Sequence, residues 1–308
     1  MNGSGVFHHP ALFYRGDDAY LAGTSPFVRE GLAAGDPVAV AAPESRLSLL
    51  RDHLGAAAHH VKFVDMTVVG RNPGWIIPGI LRSFADAHPG RRVRIIGEPI
   101  WAGRSETEYP ACVQHEALIN LAFAGHSASI LCPYDAEHLS SDVLEDAAAT
   151  HPVLIDHKGE RASAAFAPES ILQTWNRPHP EPASAAVLTF DDGGLAQARC
   201  FALHHGARLG LAGDRLADLE LAVNELAANS IVHGGDSGTL RIWADDEHLV
   251  CEVSDAGHLA DPLAGRRPAG LGIDGGRGLL LVNHIADLIR THTTPRGTSI
   301  RLYLALNP

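Results

Sequence analysis

The chain has 308 residues, 45% of them hydrophobic and 19% charged, enough for two ordinary domains with a core each. Its formal charge of -12 argues against a nucleic-acid-binding surface, which needs clustered Lys and Arg. No apolar run approaches the roughly 18 residues of a spanning helix, and no basic segment with an apolar run opens the sequence, so a soluble, cytoplasmic protein away from the membrane is expected.

The first half alternates short apolar runs with amphipathic segments. Strands are expected at Ala11–Tyr14, Val38–Ala42, Val61–Met66, Val93–Gly97, Ser129–Cys132 and Val153–Asp156. Ser25-Pro26, a capping residue followed by proline, predicts a helix running to Gly35, and a second runs from Pro43 to Gly55. Repeated strand–helix units of this length predict an α/β domain with a parallel sheet covered on both faces. A helical turn or two is expected around Pro168–Trp175. Pro178, Pro180 and Pro182 then stand at every second position, which excludes helix and central strand. The domains are therefore drawn at 1–160 and 185–308, with a linker at 161–184.

The second half is patterned differently. A strand at Ala186–Phe190 precedes consecutive helices at Leu195–Leu209 and Asp214–His233, then strands at Thr239–Asp245 and Leu249–Asp255. A long loop leads to a helix from about Gly278 to Asp287 and two strands, Leu288–Thr293 and Thr298–Leu306. Helices grouped between strands predict an α+β two-layer sandwich, a mixed sheet covered on one face.

Within the second long helix, Glu225, Asn229 and His233 recur every four residues and so stack along one face. Leu216, Leu219, Val223 and Leu226 form a core stripe on another. Asn229 offers a neutral amide oxygen suited to Mg²⁺, and Glu225, one turn earlier, is placed to orient or deprotonate a hydroxyl. Asp255-Ala256-Gly257 ends an apolar strand, where Gly257 permits close approach to the backbone. Gly275-Gly276-Arg277-Gly278-Leu279 opens a helix, where free N–H groups and the helix dipole attract anions and Arg277 adds charge. The loop from His258 to Asp274, with its glycines, prolines, Arg266 and Arg267, reads as a mobile lid.

These motifs, in this order across residues 185–306, resemble the GHKL (Bergerat-type) ATPases and, within them, the anti-sigma-factor serine kinases. The resemblance implies ATP and Mg²⁺ as cofactors, an adenine contact at Asp255, and an adenine-side threonine at Thr298. Where the family often has a second glycine, this chain has Leu259. The implied reaction is phosphoryl transfer to a serine of a partner protein, an anti-sigma-factor antagonist, with Glu225 activating the hydroxyl. Two alternatives stand beside it. ATP-bound protein sequesters a sigma factor without transfer, or His115-Glu116-Ala117-Leu118 serves as a histidine-kinase phosphoacceptor. Family analogy allows a homodimer, although no coiled-coil heptads specify one.

Residues 7–156 resemble the MEDS sensory domain. The likeness runs through Phe27–Leu32, Gly70-Arg71-Asn72-Pro73, Gly97–Arg104, His115–Asn120 and Leu131–Asp135. It implies a small organic ligand. Ligands of open parallel sheets sit beyond the carboxyl ends of strands, which places Tyr14, Asp65, Glu98, Trp101, Arg104 and Tyr134 around the candidate pocket. No Gly-x-x-x-x-Gly-Lys-Ser/Thr loop occurs. The four cysteines are scattered and His8, His9, His115 and His151 lack the close ligand spacing of a zinc site, so buried reduced thiols and no metal are expected in this half.

Overall fold

The computed structural model describes residues 6–268 and 276–306. It divides into two compact units, Met1–Trp175 and Asn176–Pro308.

The first unit opens with β1 (Phe7–His8), β2 (Pro10–Tyr14), α1 (Gly16–Ala34), β3 (Val38–Ala42), α2 (Glu44–Leu54) and β4 (Val61–Asp65). Short helices α3 (Met66–Val69) and α4 (Pro73–Trp75) lead through a π-helical stretch, Ile76–Arg82, into α5 (Ser83–Asp86). Then come β5 (Val93–Gly97), α6 (Tyr109–Ala122), β6 (Ala128–Asp135), α7 (Ser141–Thr150), β7 (Val153–Asp156), β8 (Gly159–Ala162) and α8 (Pro168–Trp175). The sheet order is β4-β3-β5-β6-β2-β7-β8, parallel except for the β7–β8 hairpin, and β1 continues the edge of β6 ahead of β2. Every residue of β3 and β6 is buried, as strands covered on both faces require.

Two sequence expectations change here. The first helix begins at Gly16, not at Ser25, and Pro26 lies inside it. Asp17 and Asp18 in the first turn favour the helix dipole, and burial of Tyr20, Thr24, Ser25 and Val28 outweighs the amide that proline removes. Residues 161–175 are not linker. Ile171 of α8 is buried, Gln114 of α6 donates from Nε2 to the Trp175 carbonyl, and the Trp175 ring meets Tyr109 edge-on at 5.2 Å.

The second unit runs β9 (Ala186–Asp191), α9 (Leu195–Arg208), α10 (Gly213–His233), β10 (Ser237–Ala244), β11 (His248–Asp255), α11 (Arg277–Ile285), β12 (Leu288–Thr294) and β13 (Gly297–Ala305). Its sheet, β12-β13-β11-β10-β9, is antiparallel at every pairing, not mixed. The reason is partly local: tight turns join β10 to β11 and β12 to β13, while α9 and α10 lie between β9 and β10, and the chain re-enters the sheet after α11 at the β12 edge. Leu240, Ile242, Cys251, Val253, Ile300, Leu302 and Leu304 point into one core with Leu219, Val223 and Leu226 of α10. Alternate residues carry the opposite face, where Arg301 donates to Glu252 from Nε at 2.9 Å and stacks over Trp243. The prolyl stretch lies along this unit: Arg301 also donates to the Pro180 carbonyl, and Asn176 pairs with the Thr293 backbone in both directions.

Candidate functional site

The core stripe of α10 turns Glu225 and Asn229 to a half-buried flank, while His233 at the helix end is exposed. Glu225 accepts from Asn224 Nδ2 at 3.2 Å through Oε1. Its other oxygen lies against the first turn of α11: a Cβ on Gly278 would fall 2.5 Å from Glu225 Oε2. The Glu225 carboxylate thus packs against Gly278, and a side chain there would have to displace it. Asn229 carries a buried Nδ2 with no hydrogen-bond partner among the described residues. A half-buried amide with an unanswered polar atom is unusual in a finished core, and turning the amide over would present its oxygen at the same place.

At the end of β11, Asp255 accepts from Ser230 Oγ at 2.7 Å through Oδ2 and from the Gly257 N–H at 2.8 Å through Oδ1. Each carboxylate oxygen keeps a lone pair for a ligand amine. Gly234 and Gly257 make the approach: a Cβ on Gly234 would meet Asp255 Cγ at 2.5 Å, and one on Gly257 would meet the His233 carbonyl at 2.4 Å. The His233 backbone carbonyl thus packs against Gly257, while its imidazole is exposed. Ser230, which holds Asp255, was passed over by the motif reading, although it continues the 219–223–226 stripe by four and is therefore directed inward.

Thr298, buried on β13, donates from Oγ1 to the Gly257 carbonyl at 2.8 Å and pairs with Thr293 Oγ1 at the same distance. Both hydroxyls receive the Leu259 N–H, at 3.0 and 3.2 Å. The position where a glycine was expected therefore works through its backbone amide. This end of the loop is pinned rather than mobile, since Leu263 is buried and Asn283 Nδ2 donates to the Gly265 carbonyl at 3.1 Å. Arg267 pairs with Asp261, and burial lowers the Arg266 pKa to about 10.

Helix α11 opens on Gly276, left-handed at φ 78°, and among the described residues no side chain caps it, the kind of helix end that attracts anions. Arg277 is exposed beside them and Leu279 packs against the unit core. Gly275 and the loop from 269 to 275 lie outside the described residues. The helix flank, the Asp255 corner and the bare N-terminus of α11 thus fit a nucleotide with its metal, on two observations: the unanswered Asn229 amide and the glycine gap that Glu225 fills.

Residues 8–152 match the family model described as MEDS, the methanogen/methylotroph DcmR sensory domain, and residues 188–304 match that of the histidine kinase-like ATPase domain. The chain is a MEDS domain followed by a GHKL-like ATPase domain. No curated protein matches it. Among solved structures, the Acinetobacter baumannii histidine kinase AdeS aligns at 12% identity over 41% of this chain and 70% of its own, with a TM-score of 0.25. Among the described residues no helix is long and apolar enough to cross a membrane.

In the MEDS domain the expected pocket residues divide. Tyr14 donates its hydroxyl to Glu98 Oε1 at 3.1 Å, and both side chains are buried. Burial raises Glu98 to about 8, with Asp135 adding to it and Arg46 opposing. Arg46, which the sequence reading missed, stacks over Tyr14 at 5.1 Å and Tyr20 at 5.2 Å and binds Asp17 and Asp135. The missing signal was tertiary, since Arg46 reads only as a surface helix residue.

The other four residues have local contacts instead. Asp65 caps α3 through the Thr67 amide. Arg104 donates to the carbonyls of Gly70, Arg71 and Pro99 and to Glu108, with its guanidinium 4.0 Å over Trp101, so it locks a loop and takes Trp101 with it. Tyr134 is buried edge-on to His151 at 5.6 Å, away from Glu98. A groove of about 650 Å³ opens at the amino ends of β3 and β4, the opposite end from the one expected.

Proposed function

We propose that the chain is a signalling regulator in which the MEDS domain senses a small organic ligand and the ATPase domain is an ATP/Mg²⁺-dependent serine kinase of anti-sigma-factor type. The supporting observation is the pairing of Glu225 with the glycine gap at Gly278, one turn from the unanswered Asn229 amide. In this reading Asn229 contributes to holding Mg²⁺, which neutralises phosphate charge when bound. Asp255 and Thr298 receive the adenine edge, and the N-terminus of α11 with Arg277 receives the phosphates. Glu225 orients the serine hydroxyl of a partner, an anti-sigma-factor antagonist, and accepts its proton.

The contact between Glu225 and α11 also favours a second reading. A carboxylate at a helix N-terminus stabilises the helix by itself, so Glu225 would serve the closed nucleotide-bound shape, and the protein would sequester a sigma factor without transfer. Autophosphorylation on His115 is disfavoured by its burial, 1% exposed on α6. Incubation with γ-labelled ATP and candidate partner proteins separates the readings. The kinase predicts label on a partner serine, lost in Glu225→Ala while nucleotide still binds. A stable unlabelled complex, weakened by Glu225→Ala, would establish sequestration instead.

A further inference from the structure

The fold gathers four residues that the chain keeps apart, the nearest two, Glu116 and Cys132, being 16 residues from each other. His9 sits in the break between β1 and β2, Glu116 on α6, Cys132 on β6, and His151 at the C-terminal cap of α7. Each is fully buried, at 0% exposure. One ligand atom from each lies within 4.8 Å of the other three. Glu116 Oε2 is 3.4 Å from His9 Nε2 and 3.4 Å from His151 Nε2. Cys132 Sγ is 3.4 Å from His9 Nε2 and 3.5 Å from Glu116 Oε2. Tetrahedral bonds of about 2.0–2.3 Å have ligand-to-ligand edges of roughly 3.3–3.8 Å, so these spacings match a cation at the centre.

The outer contacts orient the rings. His9 Nδ1 faces Asn120 Oδ1 at 3.1 Å, and His151 Nδ1 faces the Ala147 carbonyl at 2.8 Å. Asn120 is itself held, donating to the Thr150 carbonyl at 2.8 Å, so its oxygen is the atom offered to His9. An acceptor on each Nδ1 fixes the proton there and turns the Nε2 lone pair inward. Two imidazole lone pairs, a carboxylate and a sulfur then confront one another in a dry interior. Among the described residues, His151 Nε2 and Glu116 Oε1 are buried with no hydrogen-bond partner.

We infer that His9, Glu116, Cys132 and His151 form a closed four-coordinate site for a divalent transition metal of the zinc class. The ligand set of two imidazoles, one thiolate and one carboxylate suits such borderline cations. Binding forms a metal–sulfur bond and sends the Cys132 thiol proton to solvent. Two anionic ligands then balance the divalent charge, leaving a neutral site where bare charge would be costly. With every position taken by protein, the site is a staple joining β1–β2, α6, β6 and the α7–β7 junction, not an open catalytic centre.

The test is titration of the metal-stripped full chain with Co²⁺. One equivalent should bring up a thiolate-to-cobalt charge-transfer band and the intense visible bands of tetrahedral cobalt. Cys132→Ser should lose the charge-transfer band, and Cys200→Ser, at an exposed cysteine, should keep it. If Cys132→Ser does not fold, zinc-edge absorption on the zinc-loaded wild type decides, with one sulfur expected at about 2.3 Å. A folded wild type without the band, a band that survives in Cys132→Ser or vanishes in Cys200→Ser, or a zinc shell without sulfur overturns the inference.

Discussion

Asp255 and Glu98 are both acidic groups at strand ends, and their surroundings set them opposite tasks. Asp255 is held by Ser230 and the Gly257 amide with lone pairs to spare. Asp255→Asn should keep the fold and weaken ATP binding by about 10–100-fold, the scale of one hydrogen bond to a charged group; equal affinity for ATP in variant and wild type would remove Asp255 from the adenine contact. Glu98 is buried with Oε2 unpaired and its pKa raised to about 8 from 4.5. The folded state therefore holds a proton that the unfolded state gives up, so stability is full below pH 4.5 and falls as pH rises toward 8. The slope approaches about 1.4 kcal/mol per pH unit, set against Arg46, Asp135, Tyr14 and Tyr20, the charged and titratable groups facing Glu98. Thermal melts across that window should show the decline in wild type and a flatter profile in Glu98→Gln; parallel profiles would mean Glu98 is ionised in the fold. At this scale the sequence marked as candidates the groups carried by a local motif, such as Asp255, Asn229 and Gly278. It hid Ser230, Arg46 and the His9 cluster, whose partners lie on other elements and are brought near only by packing.

Elements were legible where one periodicity ruled. The strands β3 and β5, and the helix α10 with its stripe at Leu219, Val223 and Leu226, follow from apolar spacing alone. Punctuation misled where tertiary burial outweighed it: Pro26 marks no helix start because the turns before it bury Tyr20 and Thr24. The same holds for α8, whose short amphipathic pattern is indistinguishable from a linker turn until Ile171 meets its partners. Ile171 is 8% exposed, and Ile171→Ala should lower the stability of the first unit by about 2–5 kcal/mol. Denaturant unfolding followed by Trp175 fluorescence measures it; an unchanged midpoint would return α8 to the linker.

At the scale of the molecule, two units of different architecture share one chain, a parallel sheet beside an antiparallel one. Their signatures survive in the sequence because each uses a different rule, buried apolar strands between helices in the first and alternating strands in the second. The MEDS domain and the ATPase domain together make a signalling regulator. The account depends most on the polar flank of α10 taking up a nucleotide together with magnesium. Calorimetry of the folded full chain with ATP, with and without Mg²⁺, tests this most directly. Magnesium-dependent ATP uptake that is lost in Asn229→Ala, with the fold retained, is the predicted result. No uptake by the wild type, or uptake unchanged in Asn229→Ala, would contradict it.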